Sequence, residues 1–257
     1  MKKILALSSV IIALVVGLTG TVAAAPPPDI PKKGPPDLDQ IIFIHYGKDM
    51  APGKPVKPDK PDKPGKPNSE DPIDHYELSK LILTDAADYY INPSVDGIFR
   101  TDFINPVIES FEIWDEYTNM ELFNEPDITS ASGIDYYDYL NVVSWSPLTD
   151  LNIIAVASMW YVPGKPPRQI VQFDVVFNTA HPWGIDSIKD DDNTISAFDI
   201  QNIGTHEAGH VVGLADLYEE KYNMLTMYGY SDTGETQKCS PESGDILGAQ
   251  KLYGVAP

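Results

Sequence analysis

The stretch HEAGHVVGLAD at positions 206–216 restricts the fold of this chain more than any other. His206 and His210 are four residues apart, and on an α-helix such residues lie on one face, about one turn from each other. Gly213 is suited to end that helix, because glycine tolerates the left-handed conformation common at helix C-termini. The chain can then turn back and bring Asp216 toward the two imidazoles. The stretch therefore predicts a helix, a sharp stop and a convergence of three polar side chains.

These side chains have the chemistry of a zinc site. Zinc binds imidazole and carboxylate, and a catalytic site uses three protein ligands and a water, so we expect His206, His210 and Asp216 to hold Zn²⁺. Glu207 points about 100° away around the helix, which places it beside the metal as a general base for the bound water. The pattern predicts peptide-bond hydrolysis. The alternatives are two core histidines on a buried helix, and a zinc site that is structural or inactive.

The composition limits the classes of partner that the chain can bind. The chain has 38 acidic and 18 basic residues, a formal net charge of −20, so we expect it to repel nucleic acid and anionic membranes. Its single cysteine, Cys239, cannot form an intrachain disulfide.

The N-terminus has the layout of a secretory signal peptide. Two lysines precede an apolar run and then small residues, which predicts a signal peptide over 1–24 and a secreted, extracellular protein. The alternative is an uncleaved membrane anchor. Residues 25–72 are rich in proline and lysine, typical of an extended spacer, and we interpret them as a pro-segment or a linker that could attach the protein to the cell envelope.

One strand-like island, IIFIHYG at 41–47, interrupts this segment. It is either a short apolar patch in a tail or a pro-segment strand that lies in a cleft of the following domain.

Residues 73–257 form the predicted catalytic domain, of mixed helix and strand content. Apolar spacing predicts an amphipathic helix over 103–118, and helices at 196–212 and 241–254, the last capped by Ser240. The predicted strands lie within 76–91, 120–125, 141–146, 152–162 and 168–178.

Four segments together resemble the matrixins, within the metzincin zinc endopeptidases. HEAGHVVGLAD is similar to the family motif HExxHxxGxx(H/D), and LTMYGY at 225–230 resembles the methionine turn. FDVVFNTAHPW at 173–183 and SPESGDILGAQKLYG at 240–254 resemble a matrixin strand and the closing helix. The resemblance implies that Met227 is the structural methionine below the zinc; Met224 is the alternative.

The resemblance also implies an architecture and a substrate class. It implies an α+β fold with a twisted, mixed five-stranded sheet, two long helices and a small C-terminal subdomain. The edge strand, within 152–162, is expected to hold an extended protein or peptide substrate by strand pairing. Matrixins often bind structural Ca²⁺, and the acidic loop at 189–194 and the region of Asp150 are candidates for it. We expect a monomer.

Two departures from the family pattern stand out. Asp216 replaces the commoner third histidine, and Cys239 lies far from any pro-segment, so latency cannot use a cysteine switch. His45 could reach the zinc, but a histidine in a tail is expected to be incidental, and His181 is expected to be a loop residue with a local hydrogen bond.

The sequence thus favours a secreted zinc-dependent endopeptidase. The alternatives are a non-catalytic, surface-displayed module that binds a peptide or protein, and a peptide-maturing enzyme with one narrow substrate.

Overall fold

The computed structural model describes residues 37–48, 71–133, 137–185 and 197–257. The predicted signal peptide, most of the Pro/Lys-rich segment and the acidic loop at 189–194 lie outside the described residues. The helices are α1 (Ile104–Glu112), α2 (Ile200–Val212) and α3 (Ser243–Tyr253). The strands are β1 (Asp39–Gly47), β2 (Leu81–Ile82), β3 (Tyr90–Asn92), β4 (Ser94–Val95), β5 (Ile98–Phe99), β6 (Asp127–Ile128), β7 (Val142–Ser146), β8 (Ile153–Tyr161), β9 (Arg168–Asn178), β10 (Trp183–Gly184), β11 (Phe198–Asp199) and β12 (Tyr230–Ser231).

A mixed sheet forms the main layer of the molecule. Its order is β12-β1-β8-β9-β7-β3-β6, with β2 paired to β9, which gives eight strands. β8 and β9 are antiparallel, whereas β7 runs parallel to both β9 and β3. The expected α+β class and mixed sheet are confirmed. The sheet exceeds the expected five strands because three pairings involve segments of only two residues, β2, β6 and β12.

The outer side of β8 is covered. β1 pairs antiparallel along it from Asp39 opposite Tyr161 to Tyr46 opposite Ile153. The expectation that 152–162 is an edge strand is therefore wrong for this structure. The island at 41–47 is a strand of the sheet, and of its two interpretations the one that places it against the following domain is correct.

α2 packs against β8 and β9 of this sheet, and α1 packs against α2. α1 is shorter than the predicted 103–118, because single 3₁₀ turns at Thr101–Phe103 and Asp115–Tyr117 flank it. Just after the C-terminal end of α1, the indole N–H of Trp114 donates to the carbonyl of Thr205 on α2 at 3.2 Å. This bond links the segment after α1 to α2.

Several predicted boundaries differ from the structure. Residues 120–125 do not form a strand, because the backbone N–H of Leu122 donates to the Asp115 carboxylate instead of a neighbouring strand. Phe123 makes one isolated bridge to Ala87. α3 is capped by Glu242 in a capping box with Asp245, rather than by the expected Ser240.

Candidate metal centre

The helix α2 begins and ends where its sequence allows. The Asp199 carboxylate accepts from the backbone N–H of Asn202 at 2.8 Å, which caps the first turn. Gly213 ends the helix with φ +110°, and its N–H donates to the carbonyl of His210 at 3.0 Å. A Cβ at Gly213 would lie 2.6 Å from the carbonyl oxygen of Leu81, so both conformation and space require glycine. This turn brings Asp216 back toward α2.

Three side-chain atoms converge beside α2. The Nε2 atom of His206 lies 3.3 Å from Oδ1 of Asp216, and that of His210 lies 3.5 Å from the same oxygen. The opposite ring nitrogens are bound to the backbone: Nδ1 of His206 donates to Thr226 at 2.7 Å, and Nδ1 of His210 donates to Leu214 at 3.1 Å. These bonds leave both Nε2 atoms as lone-pair donors to a metal.

The three atoms fit a zinc ion. His206 Nε2, His210 Nε2 and Asp216 Oδ1 are buried and have no hydrogen-bond partner, which is rare for buried polar atoms. Ligand bonds of about 2.0–2.1 Å in tetrahedral geometry would separate the donors by about 3.3 Å, close to the observed distances. Two imidazoles and one carboxylate are also a ligand set that zinc accepts. The donors and their spacing therefore suit this metal.

The electrostatics of the group agree with metal binding. Burial lowers the pKa of His206 to about 4, which keeps its imidazole neutral at physiological pH. Burial alone would raise the pKa of Asp216, but the adjacent His210 and His206 outweigh it and hold the pKa well below its ordinary value. Asp216 is therefore an anion beside the neutral imidazole of His206. Burial alone would lower the pKa of His210, but the neighbouring Asp216 carboxylate outweighs burial and raises it.

Glu207 lies beside this convergence rather than in it. Its side chain is fully buried, its Oε1 is 3.2 Å from Nδ1 of His45, and its Oε2 has no hydrogen-bond partner. Burial raises the pKa of Glu207 to about 8, so the carboxylate has a strong affinity for a proton near neutral pH.

The methionine turn supports α2 from below. Met227 is 2 % exposed, and a Cβ at Gly209 would lie 2.3 Å from its sulfur, so glycine is needed for this close approach. The alternative, Met224, is 52 % exposed. The Asp245 carboxylate accepts the backbone N–H groups of Thr226 at 2.7 Å and Met227 at 3.2 Å, which ties the turn to α3.

A family comparison agrees with this geometry. The model of the matrixin family matches residues 84–254, more than half of the chain. The chain belongs to the matrixin family. This is a family of zinc-dependent metalloendopeptidases that act on proteins and peptides and are commonly extracellular. No curated protein matches the chain.

Other residues of this matrixin lie around the metal triad, by which we mean His206, His210 and Asp216. His45, expected to be incidental, is 1 % exposed and lies against His206 with ring centroids 4.0 Å apart, so that expectation is wrong. Tyr218 was not singled out from the sequence, yet its hydroxyl donates to Oδ2 of Asp216 at 2.9 Å. Its position two residues after Asp216 was the available signal.

The remaining candidates in this matrixin have local partners. His181 shares a hydrogen bond with the carbonyl of Ile153 at 3.0 Å, as expected of a loop residue. The Cys239 thiol lies 3.4 Å from the Asp199 carboxylate. Within the described residues, no helix is long and apolar enough to cross a membrane.

Proposed function

We propose that this chain is a secreted zinc endopeptidase in which His206, His210 and Asp216 hold the metal and Glu207 is the general base. The observation that carries the proposal is the buried convergence of three donor atoms that have no hydrogen-bond partner, 3.3 and 3.5 Å apart. Leaving such atoms unpaired would be costly, and a bound cation removes that cost.

Each side chain has a distinct task in this proposal. When bound, zinc would acidify a water and polarise the carbonyl of the scissile peptide bond. Glu207 takes the proton of the attacking water on Oε2, the oxygen without a partner, and delivers it to the leaving amine. The Tyr218 hydroxyl holds Oδ2 of Asp216 and so orients Oδ1 toward the two histidines. The Met227 side chain packs closely on α2 at Gly209 and so holds the methionine turn in place against that helix.

The substrate is proposed to be an extended polypeptide. β8 and β12 together offer backbone groups that a strand can pair with, as β1 does in this structure. A buried glutamate beside the triad favours a hydrolase over a non-catalytic binding module, because a binding module has no use for a proton acceptor there.

Secretion, envelope attachment and calcium remain predictions. The signal peptide of 1–24 lies outside the described residues, and N-terminal sequencing of the mature protein tests it directly. The loop at 189–194 also lies outside them, and the Asp150 carboxylate accepts from the backbone N–H of Asn152. The monomeric state is tested by light scattering.

The decisive experiment replaces the base. We expect Glu207→Ala to lower hydrolysis of casein by at least about 100-fold while the zinc content, measured by mass spectrometry, stays at that of the native chain. Ile98→Ala, at a 65 % exposed position of β5, is the matched control and should keep the native rate. Cleavage by Glu207→Ala at the native rate would refute the assignment of the base.

A further inference from the structure

A second group of buried oxygen atoms lies at the C-terminal end of α1, and none of its members belongs to the metal triad. Three of these atoms have no hydrogen-bond partner among the described residues: the Tyr89 hydroxyl, Oε1 of Glu112 and Oδ2 of Asp115. Tyr89 as a whole is only 1 % exposed. Buried polar atoms without a partner are rare, and each costs free energy unless something else satisfies it.

The fold brings these side chains together from separate segments. The Tyr89 ring stacks on Phe111 with centroids 4.9 Å apart, and Glu112 follows Phe111 as the last residue of α1. Phe123 meets the other side of this contact, edge-on to Tyr89 with centroids 6.1 Å apart. Asp115 begins the 3₁₀ turn that comes directly after α1. The aromatic contacts therefore hold the Tyr89 ring at the end of α1, where both carboxylates lie.

The electrostatics show that the three groups act on one another. Burial raises the pKa of the Tyr89 hydroxyl, and the charges of Glu112 and Asp115 raise it further. Burial also raises the pKa of Asp115 to about 6, although backbone N–H groups oppose it. The pKa of Glu112 is raised by burial and then by three neighbouring carboxylates, Asp115, Glu121 and Glu125. The group is therefore a concentration of negative charge around a buried hydroxyl.

The chain supplies no positive charge to offset it. Residues 101–164 contain no lysine, arginine or histidine. Within the part of the chain that the structure describes, neither Glu112 nor Asp115 forms an ion pair. The last turn of α1 has no basic residue, so nothing in that turn offsets the negative end of the helix dipole, where Glu112 lies. A cation would stabilise both the carboxylates and the helix end.

We propose that Tyr89, Glu112 and Asp115 form a calcium-binding site at the C-terminal end of α1. Ca²⁺ binds through oxygen, combines carboxylates with neutral oxygens and water, and tolerates irregular geometry. Zinc favours nitrogen and sulfur ligands, which these three side chains do not offer. Water completes the coordination of the ion. The site is distinct from the calcium candidates at Asp150 and 189–194.

A bound ion would join α1, the 3₁₀ turn and the segment that carries Tyr89. Trp114 lies between the two carboxylates in the sequence, and its indole N–H donates to the carbonyl of Thr205 on α2. The site would thus hold this segment against the helix that carries His206 and His210, and calcium would stabilise the folded chain as its concentration rises. The inference does not depend on the proposed function, because it requires neither zinc nor Glu207.

The test measures calcium binding by the full chain in a Glu207→Ala background, which prevents self-digestion. Calcium is removed from the buffers with a chelating resin and returned stepwise in equilibrium dialysis, and bound calcium and zinc are counted by mass spectrometry. Glu112→Gln and Asp115→Asn each remove one charge from the site with little change of shape. Glu116→Gln is the matched control, because Glu116 is an exposed carboxylate in the same 3₁₀ turn as Asp115.

We expect the parent chain to bind one calcium ion that Glu112→Gln and Asp115→Asn bind at least about tenfold more weakly, because calcium affinity depends on the number of charged ligands. Glu116→Gln should bind this ion with the parent affinity. Equal calcium binding by all four chains would overturn the inference, and so would the absence of binding to the parent chain up to about 1 mM calcium.

Tyr89→Phe tests the hydroxyl separately, and it also serves if Asp115→Asn fails to fold. The variant keeps the buried ring and loses only an unpaired polar atom, so without calcium it should be at least as stable in urea as the parent chain. In about 1 mM calcium its urea midpoint should rise less than that of the parent. A rise equal to that of the parent would overturn the assignment of the hydroxyl as a ligand.

Discussion

Two buried aspartates on either side of the methionine turn differ in how their oxygens are satisfied. Asp245, at the start of α3, accepts the backbone N–H groups of Thr226, Met227 and Glu242. Asp216 has one oxygen on the Tyr218 hydroxyl, and the other faces two imidazole nitrogens without a hydrogen bond. A buried carboxylate saturated by backbone donors is structural, whereas one that faces only lone pairs has a site for a cation.

The first way to test this contrast is to remove a ligand. We expect Asp216→Ala to lower zinc affinity by more than about 100-fold, because loss of an outer-shell partner alone costs 10–100-fold. Competition with a coloured chelator measures the affinity. Tyr218→Phe, which removes only the outer hydrogen bond to Asp216, is the matched control and should lower the affinity by a smaller factor. Native affinity in Asp216→Ala would mean that the carboxylate is not a ligand.

The second test removes the structural aspartate, Asp245. Asp245→Ala leaves three backbone N–H groups without their acceptor, so we expect the free energy of unfolding to fall by about 3 kcal/mol or more. Urea unfolding measures it. Asp245→Asn, which keeps one acceptor oxygen, should lose less. The contrast fails if Asp245→Ala weakens zinc binding as strongly as Asp216→Ala while stability stays native.

The third test concerns a buried carboxylate in the sheet that is not part of the metal triad. Asp174 on β9 accepts from the Val142 N–H and the Gln172 amide, and burial raises its pKa to about 8. An aspartate in the unfolded chain ionises near pH 4, whereas Asp174 in the folded chain ionises near pH 8. The burial of Asp174 therefore lowers the stability of the folded state progressively from about pH 4 to pH 8.

We therefore expect Asp174→Asn to flatten that decline. The variant should gain at least about 1.4 kcal/mol relative to the native chain at pH 8, the equivalent of one pKa unit, and little at pH 4. Urea midpoints at the two pH values measure it. A gain of equal size at both pH values would show that charge burial is not the cause.

The metal triad could be predicted from the sequence because its geometry is local. The spacing of His206 and His210 on one helix, the left-handed turn at Gly213 and the return of Asp216 lie within eleven residues. Met227 lies eleven residues beyond Asp216, and its position was expected only from the resemblance of LTMYGY to the methionine turn. β9 was also predicted with its observed ends, since a long β-branched and aromatic run has few alternatives when both of its faces are buried.

The parts that sequence alone did not determine depend on contacts between distant residues. His45 and Glu207 are 162 positions apart, and nothing in the strand-like island indicates which sheet edge it joins. No sequence pattern distinguishes Ser231 and Lys238 from other polar residues. Only the fold places the Ser231 hydroxyl against His45 and the Lys238 ammonium against Ser231. Helical periodicity and turn chemistry act over a few residues, so they determined the convergence of His206, His210 and Asp216. The pairing of β1 with β8 and β12, which covers the two imidazoles, was decided by the tertiary structure.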